Sequence, residues 1–98
     1  MMEKIFCVYM VSNKPRGTIY TGMSGRLPSR ASEHRNHFGG EFAKKYKLTR
    51  LVWYEAHSTA AEAAYRERAI KKWKRDWKIE LIEKTNPEWR DLFGDIAA

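Results

Sequence analysis

Residues 5–22 read Ile5-Phe6-Cys7-Val8-Tyr9-Met10-Val11, then Ser12-Asn13-Lys14-Pro15-Arg16-Gly17, then Thr18-Ile19-Tyr20-Thr21-Gly22. The opening run is continuously apolar and rich in β-formers, which predicts a central strand buried on both faces. Turn formers follow, and then a second short β-prone run. A link this short favours an antiparallel hairpin over a crossover. Tyr9 and Tyr20 then stand on neighbouring strands.

Working outward, Leu51-Val52-Trp53-Tyr54-Glu55-Ala56 reads as a third strand. Between the hairpin and that strand, Pro28 to about His37 suits a short helix on which Arg30, Glu33 and His34 are neighbours, and Gly39-Gly40 ends it. Ser58-Thr59-Ala60-Ala61-Glu62 then opens a helix with a Thr-x-x-Glu capping box. The pattern extends this helix from about Ala60 to Trp77 and puts Tyr65, Ala69, Ile70, Trp73 and Trp77 on one stripe toward the sheet. Glu67, Lys71, Lys74 and Lys78 form a row on another face. Asn86-Pro87-Glu88 predicts a last short helix, with Asn86 or Thr85 as its cap. The expectation is an α+β domain over residues 1–98, a central three-stranded antiparallel sheet flanked by helices.

Composition narrows the function. Ninety-eight residues hold one hydrophobic core, not two, and 43% apolar content with 13% aromatics argues against disorder. No window approaches the roughly 18 apolar residues of a membrane span, and the run from Ile5 to Val11 is too short for a signal-peptide core, so a cytoplasmic location is expected. Cys7 is the only cysteine and reads as a small buried hydrophobe. It and three scattered histidines make no zinc pattern. The net charge is +7 and the pI about 9.7, a balance that favours polyanions, with nucleic acid ahead of an anionic membrane surface. Between Arg66 and Lys78 seven basic residues face two acidic ones, so most of the excess sits on one segment.

Taken singly, the chemistry-bearing residues are unremarkable. Two tyrosines on adjacent strands pack as a cross-strand pair, and Glu67 with Lys71 is an ordinary i,i+4 pair. Together they are more informative. Cleaving a phosphodiester takes a base for water, a cation at the non-bridging oxygens and usually a divalent metal on a carboxylate. Tyrosine, arginine, histidine and glutamate supply those roles.

Val8-Tyr9-Met10 followed by Tyr20-Thr21-Gly22 resembles the paired motif of the GIY-YIG nuclease superfamily. The resemblance continues through Arg30-x-x-Glu33-His34, similar to the family's arginine helix, and Arg66-Glu67-Arg68-Ala69-Ile70-Lys71-Lys72-Trp73, similar to its metal-glutamate helix. The tail through Asn86-Pro87-Glu88-Trp89-Arg90-Asp91-Leu92 is similar to the small stand-alone bacterial branch, so the likeness runs from about Phe6 to Leu92. It implies a metal-dependent endonuclease acting on DNA ahead of RNA, in repair or recombination. Glu67 would hold one Mg²⁺ or Mn²⁺, and Arg30 would stabilise charge on the phosphate. Tyr9, or else Tyr20, would assist in activating water, and His34 would orient or relay the proton. An ordinary phenol titrates near about 10, so a base role requires positive charge nearby.

Lys44, Lys45 and Tyr46 resemble a Phe-x-Lys-Lys-Tyr stretch of that branch, and with Arg26, Lys71, Lys74 and Lys78 they are candidate contacts to nucleic acid. The sequence departs from the family in Met23-Ser24-Gly25-Arg26-Leu27-Pro28, where a basic link replaces an acidic or polar one. Asn86 matches a family asparagine only loosely and also explains itself as a cap. No duplex-reading module is visible, which favours a single-stranded or flexible substrate and leaves room for a protein partner that supplies specificity. Two rivals stand beside this reading: a non-catalytic nucleic-acid-binding protein with the same fold, and a protein-interaction module built on the aromatic surface.

Overall fold

The computed structural model describes residues 5–25 and 45–96. Three strands, β1 (Phe6–Ser12), β2 (Ile19–Ser24) and β3 (Arg50–His57), form one antiparallel sheet in the order β2-β1-β3. The apolar run takes the central position, as its two-sided hydrophobicity requires. Cys7 through Ser12 are all buried. Three helical segments follow: α1 (Ala60–Lys71), α2 (Arg75–Thr85) and α3 (Phe93–Ile96).

The sheet carries a core on each face. Cys7, Tyr9, Val11, Leu48, Leu51 and Phe93 build one, with Tyr20 and Leu92 against it. Val8, Met10, Val52 and Trp53 meet Ala63 of α1, Ile82 of α2 and Trp89 on the other. A bulge sets the division: Met10 pairs with Trp53 but Val11 pairs with Leu51, so Val52 is the extra residue. Val52 and Trp53 can then both face the helices.

That bulge is closed by the residues after α2. The Leu92 N–H donates to the Leu51 carbonyl at 2.7 Å, and Asn86 Nδ2 donates to the Val52 carbonyl at 3.1 Å. The Asp91 carboxylate accepts from the Leu51 N–H at 3.2 Å. The exposed edge of β3 is covered rather than left to pair with another chain.

The hairpin turn is fastened to α2. Arg75 donates to the carbonyls of Arg16 and Gly17, and Arg16 makes a two-pronged pair with Glu83, both contacts at 2.9 Å. Glu83 also accepts from the Trp89 indole at 2.7 Å. Gly17 leaves room for the Asn13 side chain, whose Oδ1 accepts from the Thr18 N–H at 3.0 Å and would lie 2.1 Å from a Cβ at position 17.

The N-cap half of the expected capping box forms: Thr59 is the N-cap of α1, and its hydroxyl accepts from the Glu62 N–H at 3.1 Å. Three other expectations need correction. The helix does not run from Ala60 to Trp77. It stops at Lys71, Lys72 and Trp73 close the end by i to i−3 bonds, and Lys74 is extended at ψ 148° before α2 begins. A continuous helix would rise about 1.5 Å per residue and carry Ile79 and Ile82 past a sheet of short strands. The break folds them back onto it.

The apolar stripe is also different. Tyr65 is 73% exposed and Trp77 53% exposed, while Ala63 and Ile70 are fully buried. The inward line of α1 is Ala63-Glu67-Ile70, so the helix is rotated from the phase its aromatic residues suggest. Trp73 is half-buried and meets Trp77 edge-on at 6.2 Å. Finally, no helix starts at Asn86. Its side chain turns inward, donating to Val52 and Arg90 carbonyls while Oδ1 accepts from the Arg90 N–H.

Candidate active site

The two motif tyrosines share one face of the hairpin. Tyr9 is opposite Gly22 and Val11 is opposite Tyr20, and cross-strand partners point the same way, so the tyrosines lie on a diagonal. They converge over the glycine. A Cβ at position 22 would sit 2.6 Å from Tyr9 Oη and 3.0 Å from Tyr20 Cε1. Real Cβ atoms do not come so close, so the missing side chain is what lets the Tyr9 phenol lie over the backbone beside the Tyr20 ring. Tyr9 is 6% exposed, whereas Tyr20 is half-buried on an edge strand.

Glu67 stands where a leucine would bury more apolar surface. It lies between Ala63 and Ile70 on the inward line of α1, with its side chain 17% exposed. Ionisable groups rarely occupy such positions without a partner or a task. Its described partner is Lys71, one turn on, with Nζ 3.7 Å from Glu67 Oε2. The same Nζ is 5.7 Å from the centre of the Tyr20 ring. Glu67, Lys71 and Tyr20 therefore meet where α1 packs on β2.

Beyond the helix break, α2 returns more cations to this edge. Burial lowers the Lys78 pKa, and the charges of Arg75 and Lys71 lower it further. Lys78 therefore feels the charge of both neighbours. Lys74 is exposed at the start of α2, out of the straight row that an unbroken helix would give it. Lys45 is exposed, its Nζ 5.6 Å from the ring centre of Tyr46. Arg26, Arg30, His34 and Lys44 lie outside the described residues.

Sequence reasoning missed a second polar cluster on the helix side of the sheet. Arg66 Nε donates to Glu55 Oε1 at 3.0 Å, His57 Nε2 lies 2.8 Å from the same oxygen, and the guanidinium stacks 5.3 Å from the Trp73 ring centre. The available signal was period two: Glu55 and His57 alternate along β3 and so share a face. This cluster anchors the helix that carries Glu67. Burial alone raises the Cys7 thiol pKa, which suits an inert core residue.

The donor set decides what ion would fit. No three His, Cys, Asp or Glu side chains converge among the described residues. Zinc prefers such a cage. Mg²⁺ or Mn²⁺ accepts one carboxylate oxygen, keeps several waters and takes other ligands from phosphate, which Glu67 suits. No described helix is long and apolar enough to cross a membrane.

Comparison with known proteins agrees with this geometry. The GIY-YIG catalytic domain family matches residues 5–80, a span that includes the hairpin, β3, α1 and the start of α2. The UPF0213 protein of Staphylococcus epidermidis is 34% identical over 82 residues, which cover 84% of this chain and 98% of that protein. Its counterpart in Staphylococcus saprophyticus is 35% identical, covering 83% of this chain and 96% of its own length. One from Staphylococcus aureus is 33% identical over 68% of this chain and 82% of its own. No solved structure matches the chain significantly. With two tyrosines converging on a glycine, a glutamate turned inward on the following helix, and a family match over most of its length, the chain belongs to the GIY-YIG nuclease superfamily.

Proposed function

We propose that this chain is a divalent-metal-dependent endonuclease that hydrolyses phosphodiester bonds in DNA, with single-stranded or flexible strands as its preferred substrate. The observation that carries the reading is the meeting of Tyr20 with the Glu67–Lys71 pair beside the Tyr9–Gly22 contact. A sheet edge gains nothing in stability from a half-buried carboxylate there, and a phosphodiester needs that combination of carboxylate, cation and phenol.

In this reading Glu67 holds the Mg²⁺ or Mn²⁺, which supplies Lewis acidity at a phosphoryl oxygen when bound. Tyr9 is held rigidly over Gly22 and orients the attacking water, with Tyr20 as the alternative at the open edge. Arg30 stabilises the charge on the phosphate and His34 relays a proton, roles carried over from the family. The cations Lys71, Lys74 and Lys78, with Arg26, Lys44 and Lys45, hold the strand by its phosphates. The domain acts alone on a strand that bends to it, or with a partner that supplies sequence preference.

The test compares wild type with Glu67→Gln on end-labelled single-stranded and duplex DNA, at low salt, in Mg²⁺, Mn²⁺ or EDTA. Cleavage that EDTA and Glu67→Gln both abolish, with binding retained by the variant, is the expected result. Salt-sensitive binding without cutting by wild type under either metal would overturn it and leave a binding protein on a nuclease fold.

A further inference from the structure

The Glu67–Lys71 pair stands in a place where a divalent ion and an ammonium compete. We propose that Lys71 is an exchangeable counter-ion: its amine neutralises Glu67 while no metal is bound and transfers to a phosphate of the substrate when metal and strand arrive. This inference rests on the reading of Glu67 as the metal carboxylate.

Position makes the case first. Lys71 Nζ is 3.7 Å from Glu67 Oε2, too long for a tight hydrogen bond but close enough to hold the charge. The carboxylate is largely buried, so leaving it without a cation would be costly. The lysine is about half exposed on a long flexible stem, so moving its head group is cheap. An arginine fork would bind the carboxylate in a fixed geometry and release it less readily.

The neighbours supply the reason to move. Once a divalent cation sits at Glu67, the ammonium faces a double positive charge at short range. Lys78 and Arg75 stand on the α2 side, and the charges of Arg75 and Lys71 add to burial in lowering the Lys78 pKa. A phosphate entering here relieves all three cations, and Lys71 is the one whose departure also frees the carboxylate. Metal and strand therefore bind with positive coupling, since each removes an obstacle to the other. A half-site holding metal without substrate is disfavoured.

Two measurements test this without relying on turnover. In the first, Mn²⁺ alone is titrated into the protein and the free-ion spin resonance signal is followed. Lys71→Met is expected to bind Mn²⁺ about two- to five-fold more tightly than wild type, the range an exposed ion pair is worth. Lys71→Arg should bind no more tightly than wild type. In the second, binding of a cleavage-resistant phosphorothioate single strand is followed against salt with Mn²⁺ present, where Lys71→Met should lower the logarithmic salt slope by about 0.7, one phosphate contact on a single strand. An unchanged or weaker Mn²⁺ affinity in Lys71→Met, or an unchanged salt slope, overturns the proposal. Mn²⁺ binding that survives in Glu67→Gln instead overturns the assignment of the metal to Glu67, a distinct failure.

Discussion

The hydroxyl of Tyr9 lies over Gly22, so close that a methyl group on the glycine would fall 2.6 Å from the phenolic oxygen. Gly22→Ala is therefore expected to destabilise the protein by about 1–3 kcal/mol, the usual cost of overpacking. Because Tyr9 is the residue struck, the penalty should shrink in a Tyr9→Leu background. Urea unfolding of the two single variants and the double variant measures the coupling, and strict additivity would place the strain elsewhere.

Glu67, the proposed metal carboxylate, stands on the inward line of α1. Replacing it with leucine should leave the fold intact and change stability by no more than about +1 kcal/mol, in the stabilising direction, while cleavage is lost. Glu67→Leu should also remove any Mn²⁺ dependence of the melting temperature. A variant that unfolds would show instead that the Lys71 pair has a structural purpose.

Asn86 is a buried knot between the β3 bulge and the last described segment. Its amide satisfies two carbonyls and one N–H. Asn86→Ala should cost about 2–3 kcal/mol, since the Val52 carbonyl is left dry. Mn²⁺ affinity of the folded fraction should not change. A loss of metal binding without a loss of stability would give this residue a site role after all.

Acid sensitivity has a defined window. Hydrogen bonds from Arg16 and then Trp89 hold the Glu83 carboxyl down to about 2. Its folded-state value lies below that of the unfolded chain, so the group stabilises fully above about 4.5 and loses that contribution as pH falls toward about 2. Asp95, lowered by its bond from Arg90, acts in the same sense. The difference in urea midpoint between wild type and Glu83→Gln should be constant near neutrality and vanish near pH 2. A difference that persists there would mean that shape, not charge, holds the turn.

Thr21 offers the opposite kind of change. Its hydroxyl is buried and has no hydrogen-bond partner among the described residues. Thr21→Val removes that cost at equal volume and should stabilise by about 1 kcal/mol, read as a rise in thermal midpoint.

The hairpin was legible because two-sided apolarity and a run of turn formers have a single simple solution. The cap at Thr59 was legible because it is local. The rotation of α1 was not, because hydrophobic phase points away from a carboxylate, and here the carboxylate faces in between Ala63 and Ile70. The break after Lys71 carries no glycine or proline; it follows from where Ile79 and Ile82 must go. Asn86 was read as a cap because its true acceptor, the Val52 carbonyl, is freed by a bulge that no local pattern announces. Glu67 was singled out through family likeness, while its inward setting and its link through Lys71 to Tyr20 needed the folded chain.

The fastening of the hairpin turn bears on the order of events during synthesis. The turn that aligns Tyr9 with Tyr20 is gripped by Arg75 and, through Arg16, by Glu83, partners 58 to 67 positions downstream. Both tyrosines leave the ribosome long before those clamps exist. Nascent chains that end before α2 thus carry both tyrosines without the clamps on their turn, which form late, when α2 emerges and grips it.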